Sequence, residues 1–262
     1  MSNLEDIQVN SPYFNDGIPS FCLDLKDDGY LQNYEALERL KIERDLWTGI
    51  SSLGGLLTLA PALLAPPLIS LAALPNTGLT GLSLEYLGRV SRLYLTTKML
   101  LDYFGDEGIK ITPRVKTDFG VIDLLVKMPD KRLFALCLRS NGENFIRWRE
   151  DRQAFYVYRA GKKGLKEWYP GTHVLKNFSQ QTNWLRQTKS SLLGASSAER
   201  KKPIVRVLVL TGKTKLDRAH DDPSTRVQFG RAQVLKINAE SSIYLCESQD
   251  LINFLLLNSS SQ

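Results

Sequence analysis

Hydrophobic and polar positions along this chain fall into three regimes. Residues 1–30 keep no sustained period, and Asn10-Ser11-Pro12, Asn15-Asp16-Gly17 and Asp27-Asp28-Gly29 punctuate them as loops. Residues 34–47 then take a helical period, with Leu37, Leu40 and Trp47 on one side of a charged segment. After that the charges stop. The 39 positions between Asp45 and Glu85 hold no Asp, Glu, Lys or Arg, and their centre, residues 49–74, reads GISSLGGLLTLAPALLAPPLISLAAL.

Beyond the run the pattern alternates. Residues 84–104 predict an amphipathic helix whose apolar stripe is Leu84, Leu87, Val90, Tyr94, Leu95 and Met99, closed by Gly105-Asp106-Glu107-Gly108. Residues 108–115 predict a strand, which Pro113 places at an edge or an end. Residues 119–128 and 132–139 predict two more strands, joined by the turn residues Pro129-Asp130-Lys131. Strands are expected at 153–159 and 165–169, a helix at 176–193, and a buried strand at 203–211. Short strands at 231–237 and 242–246 and a helix at 249–257 close the chain, with loops at 196–202 and 217–225. The divisions are an acidic segment with a charged helix (1–45), an apolar module (46–83), an α/β domain (84–257) and a disordered Ser-rich tail (258–262).

At about 1.5 Å per residue, the uncharged run is longer than the ~30 Å hydrocarbon core of a bilayer. Three readings fit it: a single kinked span, a helical hairpin that turns at Pro66-Pro67 and re-enters the same face, or a buried apolar module or dimer interface. Pro61, Pro66, Pro67 and Pro75 weaken a straight span, and Gly49, Gly54, Gly55, Ala60 and Ala62 permit close helix packing. Basic residues lie on both flanks, Arg39, Lys41 and Arg44 before and Arg89, Arg92 and Lys98 after, which suits a hairpin with both ends on the cytoplasmic side. The run starts too late for a cleavable signal peptide and follows an acidic segment.

Charge sharpens the picture. The net charge is +6, yet residues 1–45 carry −6 and the rest +12. A basic body suits a polyanionic partner, nucleic acid or an anionic membrane surface, and equally suits a solvated basic surface with an acidic tail. Cys22, Cys137 and Cys246 have neither zinc nor disulfide spacing, so a reducing compartment is expected. His173 and His220 sit in turn-like contexts, which argues against a His triad or a multi-His metal site. Gly161-Lys162-Lys163-Gly164 and Gly212-Lys213-Thr214 lack the spacing of a phosphate-binding loop.

The candidate chemistry centres on Asp123, a lone charge among Val121, Ile122, Leu124, Leu125 and Val126. A carboxylate there is costly unless paired, hydrogen-bonded or metal-bound. Cys137 and Arg139 lie two apart, hence on one face of the following strand. This layout resembles the core hairpin of the PD-(D/E)xK nuclease superfamily, nearest to its nuclease-related domain branch. In that family an Asp and an acid-x-Lys hold a magnesium ion and orient a water. Here Asp123 matches the Asp, Cys137 stands where the second acid belongs, and Arg139 stands in the Lys position. Residues 177–181 also resemble the family's Asn-apolar-Gln stretch. Gly88-Arg89 occupies the place of a Gly-Glu pair, with Glu85 the nearest acid. The resemblance, over residues 84–257, implies a mixed central sheet flanked by helices, a restriction-endonuclease-like core.

It also implies Asp123 and Arg139 as relic catalytic positions. No cofactor is expected, and Mg²⁺ would be held by Asp123 only if the site were active. Glu143 and Asp118 would then be migrated acids and Lys127 a migrated Lys; a plain Asp123–Arg139 ion pair is the competing reading. The basic-aromatic stretch 147–169 mixes Arg and Lys with Trp148, Tyr156, Tyr158, Trp168 and Tyr169, a composition suited to single-stranded nucleic acid, to a headgroup zone, or to a twisted hairpin with one packed face. Polyanion contacts are assigned to Arg147, Arg149, Arg152, Lys162, Lys163, Lys166, Gln180 and Gln181. The expectation is a membrane-associated protein, held through residues 46–83, whose degenerate nuclease-like domain faces a reducing cytoplasm and binds nucleic acid or protein without hydrolysis. The alternatives are a metal-dependent nuclease with migrated residues and a structural or homo-oligomeric subunit of a membrane complex.

Overall fold

The computed structural model describes residues 31–64, 69–159, 164–218, 225–238 and 242–257, with backbone alone over 54–64 and 69–80. The loops read in 1–30, Cys22, the Pro66-Pro67 turn, Lys162, Lys163, His220 and the tail lie outside the described residues.

The uncharged run is divided between two long helices, α1 (Asn33–Leu64) and α2 (Ile69–Phe104), so it is not one continuous span. Among the described residues no helix is long and apolar enough to cross a membrane. The two helices pack antiparallel. Ser51 Oγ meets Ser83 Oγ at 3.2 Å, the Trp47 and Tyr86 rings lie 4.6 Å apart, and the Arg44 guanidinium sits 4.2 Å from the Tyr94 ring centre. Glu43 ties them to the sheet by accepting from the Tyr86 hydroxyl at 2.5 Å and from Arg114 at 2.8 Å. Asn33 behaves like a neighbouring strand: its amide donates to Ile109 O and accepts from Ile111 N, both at 2.8 Å. These bonds occupy polar groups at the outer edge of the first strand, where a bare edge invites unwanted pairing.

The apolar stripe expected on α2 is turned about its axis. Leu84 and Leu95 are exposed, whereas Val90, Leu93, Thr97, Leu100 and Phe104 are buried. The helix has apolar residues on more than one side, and periodicity cannot tell which side the sheet covers.

Seven strands form the main sheet in the order β1-β2-β3-β7-β11-β10-β9. β1 (Lys110–Thr117), β2 (Gly120–Lys127) and β3 (Leu133–Arg139) form an antiparallel meander. β7 (Ile204–Leu210) and β11 (Ser242–Glu247) continue parallel to β3. β10 (Ala232–Asn238) and β9 (Arg226–Phe229) finish antiparallel. β9 was not expected; it is short and mostly exposed, with too little alternation to signal a strand. One sheet face buries Leu124, Val126, Phe134, Leu136, Val207 and Val209 against α2 and α6 (Leu251–Leu257), where Phe254 meets Phe229 at 5.0 Å.

A second sheet, β6-β5-β4-β8, is built from β4 (Asn144–Arg149), β5 (Ala154–Arg159) and β6 (Lys166–Glu167), which follow β3, and from β8 (Lys215–Leu216), which follows β7. The strand expected at 165–169 is only two residues long, because α3 (Tyr169–Thr188) starts seven residues earlier than the spacing suggested. Pro170 fits the first helical turn, where no backbone donor is needed. Gly171 is required there, since a Cβ would sit 2.4 Å from the Trp168 ring. α3 stops at Lys189, and α4 (Ser190–Leu193) is a separate turn.

The loop expected at 196–202 contains α5 (Ser197–Lys201), capped by Ser196 Oγ, which accepts from Glu199 N. Glu199 sits between Lys127 (2.7 Å) and Lys131 (2.8 Å) and clamps both ends of the β2–β3 turn. The hydrogen bond from Lys127, then that from Lys131, holds its carboxyl down to about 2 from an ordinary 4.5. A depressed carboxyl contributes stability above its unfolded value and loses it as pH falls toward the folded one. Glu199→Gln is therefore expected to lower the urea midpoint at neutral pH and to flatten its fall between pH 4.5 and 2, measured by denaturation at stepped pH.

Candidate functional site

β3, β7 and β11 are parallel, and their carboxyl ends share one rim of the sheet, the place where α/β folds commonly hold ligands. Asp123 reaches that rim from β2. The β2–β3 ladder runs from Lys127↔Leu133 to Leu124↔Leu136. Beyond Leu124, the Asp123 carboxylate supplies the acceptor that backbone would have given: Oδ2 accepts from Leu138 N at 2.7 Å. The same oxygen accepts from Arg139 Nη1 at 2.8 Å, and that guanidinium also donates to Leu138 O. Strand alternation turns Asp123, Cys137 and Arg139 away from Leu124 and Leu136, onto the other face.

α3 lies over this face. The Gln181 amide, buried, donates to Phe119 O at 2.9 Å and pins α3 to the turn that starts β2. Thr182 accepts from Arg206 of β7. Gln180, its neighbour, is exposed. His173, half-buried on the first turns of α3, lies within 3.2 Å of Asn177 Nδ2 and 5.7 Å from the Tyr169 ring. Burial first, then Arg139 and Lys176, lowers its pKa below the ordinary value, so the ring stays neutral near pH 7.

Arg92, from α2, completes the cluster. Burial pulls its pKa below the usual guanidinium value; Asp123 pulls the other way, and Arg139 and Arg89 add to the lowering. No hydrogen bond or ion pair to this guanidinium is found among the described residues; it is half-buried, and the charges that act on it are Asp123 and Glu85, which favour it, and Arg139 and Arg89, which oppose it. Sequence reasoning treated Arg92 only as a flanking charge. No local pattern in the sequence marked it, because its place at the rim follows from how α2 packs.

The donor set does not fit a magnesium ion. Mg²⁺ asks for an octahedral cage of oxygens. Here one carboxylate is pinned, and burial pushes the adjacent Cys137 thiol up to about 12, so it stays protonated. No group of three His, Cys, Asp or Glu placed for a metal occurs among the described residues. The migrated candidates lie elsewhere in pairs of their own: Glu143 with Lys213 at 2.5 Å, Asp118 with Trp184 at 2.7 Å, Lys127 with Glu199, and Glu85 with Arg89 at 2.7 Å.

The basic-aromatic stretch forms one face of β4 and β5. Phe145 stacks on Tyr158 at 5.4 Å, and Arg147 and Arg149 lie over Tyr158 and Tyr156. Its guanidinium groups are largely committed. Arg147 pairs with buried Asp217 at 2.7 Å, while Arg149 and Arg152 share Asp151. Lys166 is exposed on β6.

No protein-family model, curated protein or solved structure matches this chain. The arrangement therefore has to be judged on its own chemistry. Removing the carboxylate should strand both Leu138 N–H and Arg139, each half of a partly buried bond. Asp123→Ala is expected to lower unfolding free energy by about 1–3 kcal/mol, and Asp123→Asn, which keeps an acceptor for Leu138, by less. Urea denaturation of the two variants measures the difference; equal losses would mean the carboxylate does not support the ladder.

Proposed function

We propose that this chain binds the phosphates of nucleic acid at the sheet rim formed by the end of β3, with Arg139, His173 of α3 and Arg92 of α2 around it, on a nuclease-like scaffold that no longer hydrolyses them. The observation that carries the reading is Arg92, a half-buried guanidinium with no hydrogen-bond or ion-pair acceptor among the described residues, within electrostatic reach of Arg139. Guanidinium stays charged and grips phosphate oxygens through paired N–H donors. A phosphate entering here would relieve the mutual repulsion of two cations. Neutral His173 and exposed Lys176 border the same place, and both can donate to an anion.

Two further observations support the scaffold. The order α2, β1, β2, β3, insertion, α3, β7 is the order implied by the resemblance to the nuclease-related domain. Arg139 and Cys137 take the places where that family puts a Lys and an acid. With one carboxylate bound to an Arg, a water cannot be activated by a metal at this position, and the loss of ligands removes transition-state stabilisation.

Binding of this type depends on salt, since each phosphate contact releases counterions. A labelled oligonucleotide is expected to bind at low salt and dissociate as salt rises. Arg92→Ala should weaken binding by about tenfold and reduce the slope of log K against log salt by about 1. No cleavage product is expected with Mg²⁺ or Mn²⁺. Metal-dependent cleavage abolished by Asp123→Ala would establish the nuclease alternative instead.

A further inference from the structure

The last charges on each arm of the helix pair neutralise themselves. Arg44 pairs with Asp45 at 2.8 Å, and Glu85 with Arg89 at 2.7 Å. At that level Trp47 packs on Tyr86, whose hydroxyl points back to Glu43. An aromatic pair with its polar handle on the charged side is the arrangement found where membrane hydrocarbon meets headgroups. At and beyond it, most described apolar side chains are bare: Leu46 is 60% exposed, Leu53 63%, Leu82 70% and Leu84 55%, while Ile50 is half-buried. The sequence between Leu53 and Leu82 holds no charged residue.

Leu82 and Leu84 are two apart on a helix, about 200° around its axis, so α2 is apolar on nearly opposite sides. A protein partner covers one side; lipid covers all sides, and helices apolar all round belong in such surroundings. The nearby hydroxyls need no water. Thr48 donates to Arg44 O and Ser52 to Thr48 O, both at 2.8 Å, while Ser51 meets Ser83. Residues 46–64 and 69–84 are about 28 and 24 Å long, against a hydrocarbon core of ~30 Å. Asn33, opening α1, is bonded to Ile109 and Ile111 just after α2, so both arms return to the same sheet.

We infer that the far halves of α1 and α2 enter one side of a lipid bilayer and leave by the same side, with Trp47 and Tyr86 at the headgroup boundary. Because the boundary charges are paired, insertion is driven by apolar area and does not need anionic lipid. Arg92 then lies about 9 Å above the surface, six residues along α2 from Tyr86. This placement stands independently of what the rim binds.

The test is flotation of the full chain with neutral phosphatidylcholine vesicles in 0.5 M NaCl, a salt level at which nucleic-acid binding is suppressed. The protein is expected to float and to stay bound through an alkaline carbonate wash. The double variant Leu53→Asp/Leu82→Asp, altered at positions already exposed, should lose about tenfold or more of the floated fraction while keeping its helical circular dichroism and its oligonucleotide binding. Leu84→Asp alone serves if the double variant loses helix. Arg92→Ala should float like wild type. Wild type that stays at the bottom, variants that float unchanged, or flotation only with anionic vesicles at low salt would each overturn the inference. A wild-type dimer made monomeric by the same variants, without flotation, would identify a second copy as the occupant instead.

Discussion

One carboxylate oxygen, Oδ2 of Asp123, stands in for a missing rung of the β2–β3 ladder and at the same time binds Arg139. The two strands part at that point, and the side chain fills the gap. Everything at the rim follows from this sharing. Arg139 is held against the end of β3, and Cys137 is sealed behind it as a neutral thiol. A charged acceptor serving a backbone donor and a guanidinium makes shorter, stronger bonds than a neutral one. Removal of either partner leaves the other partly buried and unmet, so the arrangement resists piecemeal change.

The same economy of charge makes the rim a poor place for a divalent metal. A divalent ion would have to displace Arg139 and collect oxygens that the neighbouring side chains lack. An anion meets a cluster that already repels itself. Burial and Arg139 both lower the Arg92 pKa, and burial keeps His173 neutral. Burial is the larger cause of both shifts, and the neighbouring cations add to it.

Net charge overstates how much of the basic body is free. Arg147 is tied to Asp217, Lys215 and Arg218 to Glu247, Arg218 also to Asp250, and Lys127 and Lys131 to Glu199. The Glu247 and Asp250 sets lie at the seam between the two sheets, where Glu247 also accepts from Leu216 N. They are structural ties between β8, β11 and the chain that follows. Exposed pairs of this kind add little stability, but these acids are mostly buried, and loss of one partner would leave an uncompensated charge. Counting Lys and Arg along the sequence therefore pointed to the β4–β5 face, while Arg92, which has no ion pair among the described residues, lay on α2.

By itself, the sequence determined the order of the helix ending at Phe104, the three strands after it, the later helix and the buried strand at 204–210, the turn between β2 and β3, the isolation of Asp123 among apolar neighbours, and the limits of the uncharged run. These are local matters, set by side-chain period, turn chemistry and the cost of burying charge, and they can be read from a window of residues. Only the tertiary structure decided which side of α2 faces the sheet, that α3 begins at Tyr169 against Trp168 and Phe155, that residues 197–201 are helical, and that Arg92 arrives beside Asp123 and Arg139 from 31 and 47 positions away. Those outcomes depend on which of several acceptable surfaces meet, and on charges brought together by packing across layers. No periodicity along a single chain records that choice.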